Sequence, residues 1–79
     1  LERTLLDIPG VTAVHDLHVW TITSGLDAMS CHLVVVDMSQ GRATLLSARE
    51  AMKAGFGLEH ATIQIEDLQL REAEGELRL

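Results

Sequence analysis

The chain has 79 residues, of which 47% are hydrophobic and 23% charged; this is enough for one small soluble domain with one modest core, residues 1–79. Twelve acidic against six basic residues give a formal charge of −6, and the bases, Arg3, Arg42, Arg49, Lys53, Arg71 and Arg78, are scattered. That argues against a nucleic-acid partner, which needs clustered Lys and Arg, and suits cations instead.

The single cysteine, Cys31, leaves no internal disulfide and no CxxC pair, so the chain is compatible with a reducing compartment. No apolar run approaches the roughly 18 residues of a membrane span, and no signal peptide is visible. A start at Leu1 rather than Met is the expectation for a piece of a longer protein. Domains of this size often gain stability from a metal or from oligomerisation.

Leu1, Leu5 and Ile8 fall at helical spacing until Pro9 and Gly10, so residues 1–8 are expected to be the tail of an entering helix. Residues 13–23, with Val14, Val19, Trp20, Thr21, Ile22 and Thr23, predict strand one. "SGLD" (24–27) is a turn, and "AMSCHLVVVD" (28–37) predicts strand two, apolar enough for partial burial on both faces. Leu45, Ala48, Met52 and Phe56 mark one face of a helix over 43–56, broken by Gly55 and Gly57. "ATIQIEDL" (61–68) alternates Ile63 and Ile65 against Thr62, Gln64 and Glu66, a half-buried strand three. The charged tail, residues 69–79, is expected to be helical or frayed.

The order α-β-β-α-β predicts an α+β fold, an open-faced ferredoxin-like sandwich. If the crossover helix passes over strand one, the sheet order is 3-1-2 with strand one central. Both helices then cover one face, and the other face meets water or a partner.

Four histidines stand out: His15, His18, His32 and His60. Neutral imidazole, with carboxylate as companion, is the usual ligand set for zinc and similar ions. With Ser24-Gly25 as the turn centre, His15 stands opposite Val34, and His32 is its diagonal neighbour on the same face, roughly 7–8 Å away backbone to backbone. In the 3-1-2 order the start of strand one lies beside the end of strand three. His15, His32 and Glu66 then make two nitrogens and one carboxylate, with Asp67 or water to complete a tetrahedron. His60 lies about 20 Å of extended chain before Glu66, near the hairpin tip, and suits at most a second, weaker site. Alternation points His18 away from His15, onto the face of Trp20, as a surface or interface residue. Cys31 reads as a small buried hydrophobe whose apolar strand raises its thiol pKa. No serine elbow, phosphate loop or activated nucleophile is present, so the chain is not expected to be an enzyme.

"IPGVTAVHDLHVWTITSG", "SCHLVVVD" and "HATIQIE", in that order over residues 8–66, closely resemble the cytoplasmic C-terminal domain of cation diffusion facilitator transporters of the zinc/cobalt/cadmium type. The resemblance implies a metallochaperone-like fold that forms a homodimer. It also implies an absent transmembrane domain of the same chain, exchanging protons for divalent cations across an inner or plasma membrane. It places metal ligands at the histidine opening "HDLH", the histidine of strand two and the acid ending strand three, which match His15, His32 and Glu66. Some relatives also use a histidine near the position of His60. The implied cation is Zn2+, with Cd2+, Co2+ and Ni2+ as competitors. The tail, 67–79, has none of the Cys or His ligands that some relatives carry there, so a fourth ligand falls to Asp67, Asp16, water or the partner subunit. The competing expectations are a metal-free, small-molecule-binding regulatory module on the same superfold, and a free metallochaperone, against which the missing CxxC counts.

Overall fold

A computed structural model describes residues 1–77. The elements run α1 (Glu2–Leu6), β1 (Val11–Thr23), β2 (Leu26–Val35), α2 (Gly41–Phe56), β3 (His60–Glu66) and α3 (Leu68–Leu77), with one 3-10 turn, Met38–Gln40, ahead of α2. The expected α-β-β-α-β succession is present, and the segment after Glu66 adds α3. The last two residues of the predicted tail, 78 and 79, lie outside the described residues.

α1 is too short to be stable by itself and is held by Leu5, which is fully buried. It stops at Asp7, ahead of Pro9 and of Gly10, whose φ of +89° only glycine adopts easily. α2 ends on Gly57 in left-handed geometry, where the Gly57 N–H donates to the Lys53 carbonyl. That turn changes which side chain completes the apolar face. Ala48 and Met52 are buried as their spacing predicts, but Phe56 stays exposed, and Leu58, just past the turn, enters the core instead. Arg49 ties α2 to β3 by donating from Nη1 to the Ala61 carbonyl at 2.8 Å.

The sheet has the order β1-β2-β3, with β1 antiparallel and β3 parallel to β2. The expected order 3-1-2 is therefore corrected: β2 is central and β1 is an edge. The physical reason is apolar density. Met29, Cys31, Leu33, Val34 and Val35 of β2 are all buried, whereas most of β1 is not. A strand covered on both faces and both edges gains most from such a run. Crossing α2 directly from β2 to its neighbour covers that strand, and passing over β1 would have left it at an edge.

On one face, Met29, Cys31 and Leu33 meet Leu5, Ala48, Met52 and Leu58 to form the core beneath α1 and α2. The opposite face carries Ser30, His32 and Val34 of β2, and α3 packs against β2 and β3. Asp67 starts α3: its Oδ1 accepts the Leu70 N–H at 2.8 Å. This cap ends β3 at Glu66, two residues before the predicted limit.

β1 has 13 residues and β2 has 10, and the difference is taken up by register shifts within Val11–Ala13, His15–His18 and Thr21–Thr23. The middle one shapes the site.

Candidate metal centre

Two register shifts separate His15 from the hairpin turn, at Thr21–Thr23 and at His15–His18, and together they place His15 directly opposite His32. The expected partner, Val34, is instead opposite Ala13. The two imidazoles meet edge to face, with ring centroids 4.7 Å apart. Asp16 forms the bulge in left-handed backbone, φ +53°, a conformation that aspartate tolerates better than most residues. In a regular strand Asp16 would point away from His15. Here its Oδ2 lies 3.3 Å from His15 Nδ1 and 3.9 Å from His32 Nδ1.

Glu66 completes the group by a route different from the expected one. β3 borders β2, not β1, so Glu66 stands opposite Val34. It nevertheless reaches His15, because β3 runs antiparallel to β1 in either strand order and both residues fall at the same end of the sheet. Glu66 Oε1 pairs with His15 Nε2, and Oε2 lies 3.4 Å from His32 Nδ1. Gln64 Nε2 donates to the same Oε2 at 3.1 Å. The Glu66 side chain is fully buried, an expensive place for a carboxylate unless it is paired in this way.

Ligand atoms of His15, Asp16 and His32 lie within 4.8 Å of one another. Two carboxylates facing two imidazoles form an electron-rich pocket suited to a dication. Asp67 is used as the α3 cap, and His60, opposite Ala28 near the hairpin, is remote from the cluster. Cys31 is buried on the core face, and burial pushes its thiol up to about 11.

His18 needs correction. It stands opposite Ser30, which shares a face with His32, so His15 and His18 lie on the same side of the sheet. The extra residue at the bulge cancels the alternation that predicted otherwise. A cleft of about 340 Å³ on this face is lined by Asp16, His18, His32, Thr62 and Gln64 among others. The odd residue count between paired positions was hidden from a sequence that shows no glycine at the bulge.

The family profile described as "Cation efflux protein, cytoplasmic domain" matches residues 1–68. The chain belongs to this family. Metal tolerance protein B of Arabidopsis thaliana is 39% identical to this efflux-protein domain over 66 residues, covering 84% of this chain and 18% of the relative. A cadmium, cobalt and zinc/H(+)-K(+) antiporter of Bacillus velezensis is 41% identical over 67 residues, covering 81% of this chain and 21% of the relative. The chain thus spans about a fifth of these relatives. Among solved structures, the metal-bound C-terminal domain of the CzcD transporter from Cuprividus metallidurans superposes with a TM-score of 0.74 at 34% identity, covering 82% of this chain and 90% of that one. The family is a transporter domain rather than an enzyme family. Among the described residues, no helix is long and apolar enough to cross a membrane.

Proposed function

We propose that this efflux-protein domain senses cytosolic divalent cations, Zn2+ foremost, and regulates cation/proton antiport by a membrane domain of the same protein. The observation that carries the reading is the convergence of His15, Asp16, His32 and Glu66 from three strands at one end of the open face. His15, Asp16, His32 and Glu66 are the proposed site. Nitrogen and oxygen ligands also accept Cd2+, Co2+ and Ni2+, so competition sets the occupant.

The domain is proposed to work as a homodimer. In support, β1 is an edge strand, and its distal half exposes Val19, Trp20 and Ile22 with no charged side chain from Val19 to Gly25. Facing carboxylates repel one another until a cation neutralises them. A cation that binds one subunit arrangement better therefore shifts the pair toward it, by no more than the difference in affinity.

The test is a zinc titration with and without chelator, read by calorimetry, thermal shift and sedimentation, and repeated on His15→Ala and His32→Ala. Zinc uptake with a raised Tm, lost in both variants, supports the reading. No uptake by the wild type, or equal uptake by the variants, refutes it.

A further inference from the structure

A second cleft, of about 390 Å³, lies away from the metal centre, between the Pro9-Gly10 turn, the end of β2 and the first turns of α2. Its lining is apolar at Ile8, Pro9, Val36 and Ala43 and polar at Asp37 and Thr44, with no Lys, Arg or His among the described residues. The Val36 N–H donates to the Gly10 carbonyl at 3.0 Å, which fixes the strand end against the turn.

Both polar groups can accept a donor. Asp37 uses Oδ1 for the Ser39 N–H, and hydrogen bonds from Ser39 keep its carboxyl ionised at neutral pH. It forms no ion pair among the described residues. Thr44 is only 5% exposed, yet its hydroxyl makes no hydrogen bond among the described residues. A nearly sealed hydroxyl without a partner is a cost that an incoming donor removes. An anion is repelled by Asp37, and a bare dication finds one carboxylate and no imidazole there. Apolar walls, a negative rim and a spare acceptor fit an aliphatic stem ending in a cation, the side chain of Lys or Arg. Val36 and Met38, on either side of Asp37, are 73% and 44% exposed, so apolar surface continues beyond the cleft. That favours a basic residue with apolar neighbours over a free amine.

We propose that this cleft docks a basic, apolar cytosolic segment of the membrane part of the same protein, seating one Lys or Arg side chain against Asp37. The docking contact rests on the transporter reading above and adds a partner to it. Charge complementarity carries the choice of occupant. Cytosolic loops of membrane proteins carry an excess of Lys and Arg, whereas this domain has a formal charge of −6. The relatives named above have about four fifths of their length outside the part that matches this chain. One exposed ion pair in a small cleft is too weak to hold a free peptide. A segment on the same chain needs no more, because the tether keeps its local concentration high.

Photo-cross-linking of the full-length protein in membrane vesicles tests the contact. Ala43, exposed at the cleft, is replaced by a benzophenone amino acid, and the adducts are mapped by mass spectrometry. The expected adduct lies on a Lys- or Arg-bearing stretch of the same protein outside residues 1–79. Its yield should fall about two- to fivefold in Asp37→Asn, which still accepts the Ser39 N–H but has no charge. High salt should lower the yield without that substitution and leave the Asp37→Asn yield unchanged. Adducts confined to lipid, to another protein or to residues 1–79 overturn the proposal, as does a yield indifferent to both salt and Asp37→Asn. Zinc uptake without the expected cross-link removes the docking contact and leaves the metal reading standing. The cross-link without zinc uptake does the reverse.

Discussion

Cys31 and His32 are neighbours on β2, yet they occupy opposite chemical worlds. Cys31 lies in a sealed apolar layer with Met29, Leu33, Ala48 and Met52, where a charge is not tolerated. His32 lies among ionisable groups at the edge of an open cleft. One residue of strand turns a side chain from a face that supplies folding energy to a face arranged for a ligand. The lesson is that the central strand serves as a partition. Stability is expected to depend on its odd-numbered side chains from Met29 to Leu33, and cation response on the other face.

Four measurements sharpen or break that division. The largest effect is expected for Leu33→Ala, at a fully buried site. Urea unfolding should show a loss of about 2–5 kcal/mol, a large share of what a domain this small has, with zinc affinity unchanged in whatever fraction stays folded. A large loss of affinity from this core change would mean that the faces are coupled.

His32→Ala should behave in the opposite way. Without metal its unfolding midpoint should stay close to that of the wild type. With zinc at a hundredfold excess over the wild-type Kd, the wild type gains about 2.7 kcal/mol by mass action and the variant gains little. Differential scanning fluorimetry with and without chelator reads this directly.

Cys31 tests the apolar layer by pH. Burial raises its thiol from 9.0 to about 11 in the folded state. The protonated thiol is what the fold accommodates, so its contribution is complete below pH 9 and is lost as pH rises through about 11. The loss is on the order of 2 kcal/mol. Cys31→Ala should remove this part of the alkaline destabilisation, and iodoacetamide should label the wild type far faster in urea than in buffer.

The smallest effect belongs just beyond the strand. Asp37 Oδ1 accepts the Ser39 N–H at 2.9 Å, and hydrogen bonds from Ser39 hold its carboxyl below the usual value of 3.8. A lowered folded pKa stabilises above the unfolded value and is lost as pH falls through the folded one. Asp37→Ala should therefore be slightly less stable at neutral pH, and the gap should close on acidification below about pH 4. A gap that persists at pH 2 would show that the side chain does more than cap the turn.

Much of the architecture was readable from periodicity and punctuation. Pro9-Gly10, Ser24-Gly25 and Gly57 stop elements where the structure stops them, because each supplies backbone geometry that few other residues allow. The strand order differs from the expected one although the sequence carries its signal: a run as apolar as Leu33–Val36 favours a central strand. The position of Glu66 beside His15 was expected from the wrong neighbour and for a partly right reason, the shared strand direction. The sidedness of His18 and the inward turn of Asp16 could not be read, since alternation assumes one residue per pleat and the bulge breaks that count.

Composition, spacing and turn residues by themselves determined the kind of domain this is, because burial and backbone preference act locally and leave regular marks. They also supplied the imidazoles and acids. The tertiary structure alone decided which strand is central, which histidines share a side and which acid meets which nitrogen. Those outcomes depend on extra residues in β1 and on contacts between segments about fifty positions apart, such as His15 with Glu66. Their energy exists only once the sheet has formed.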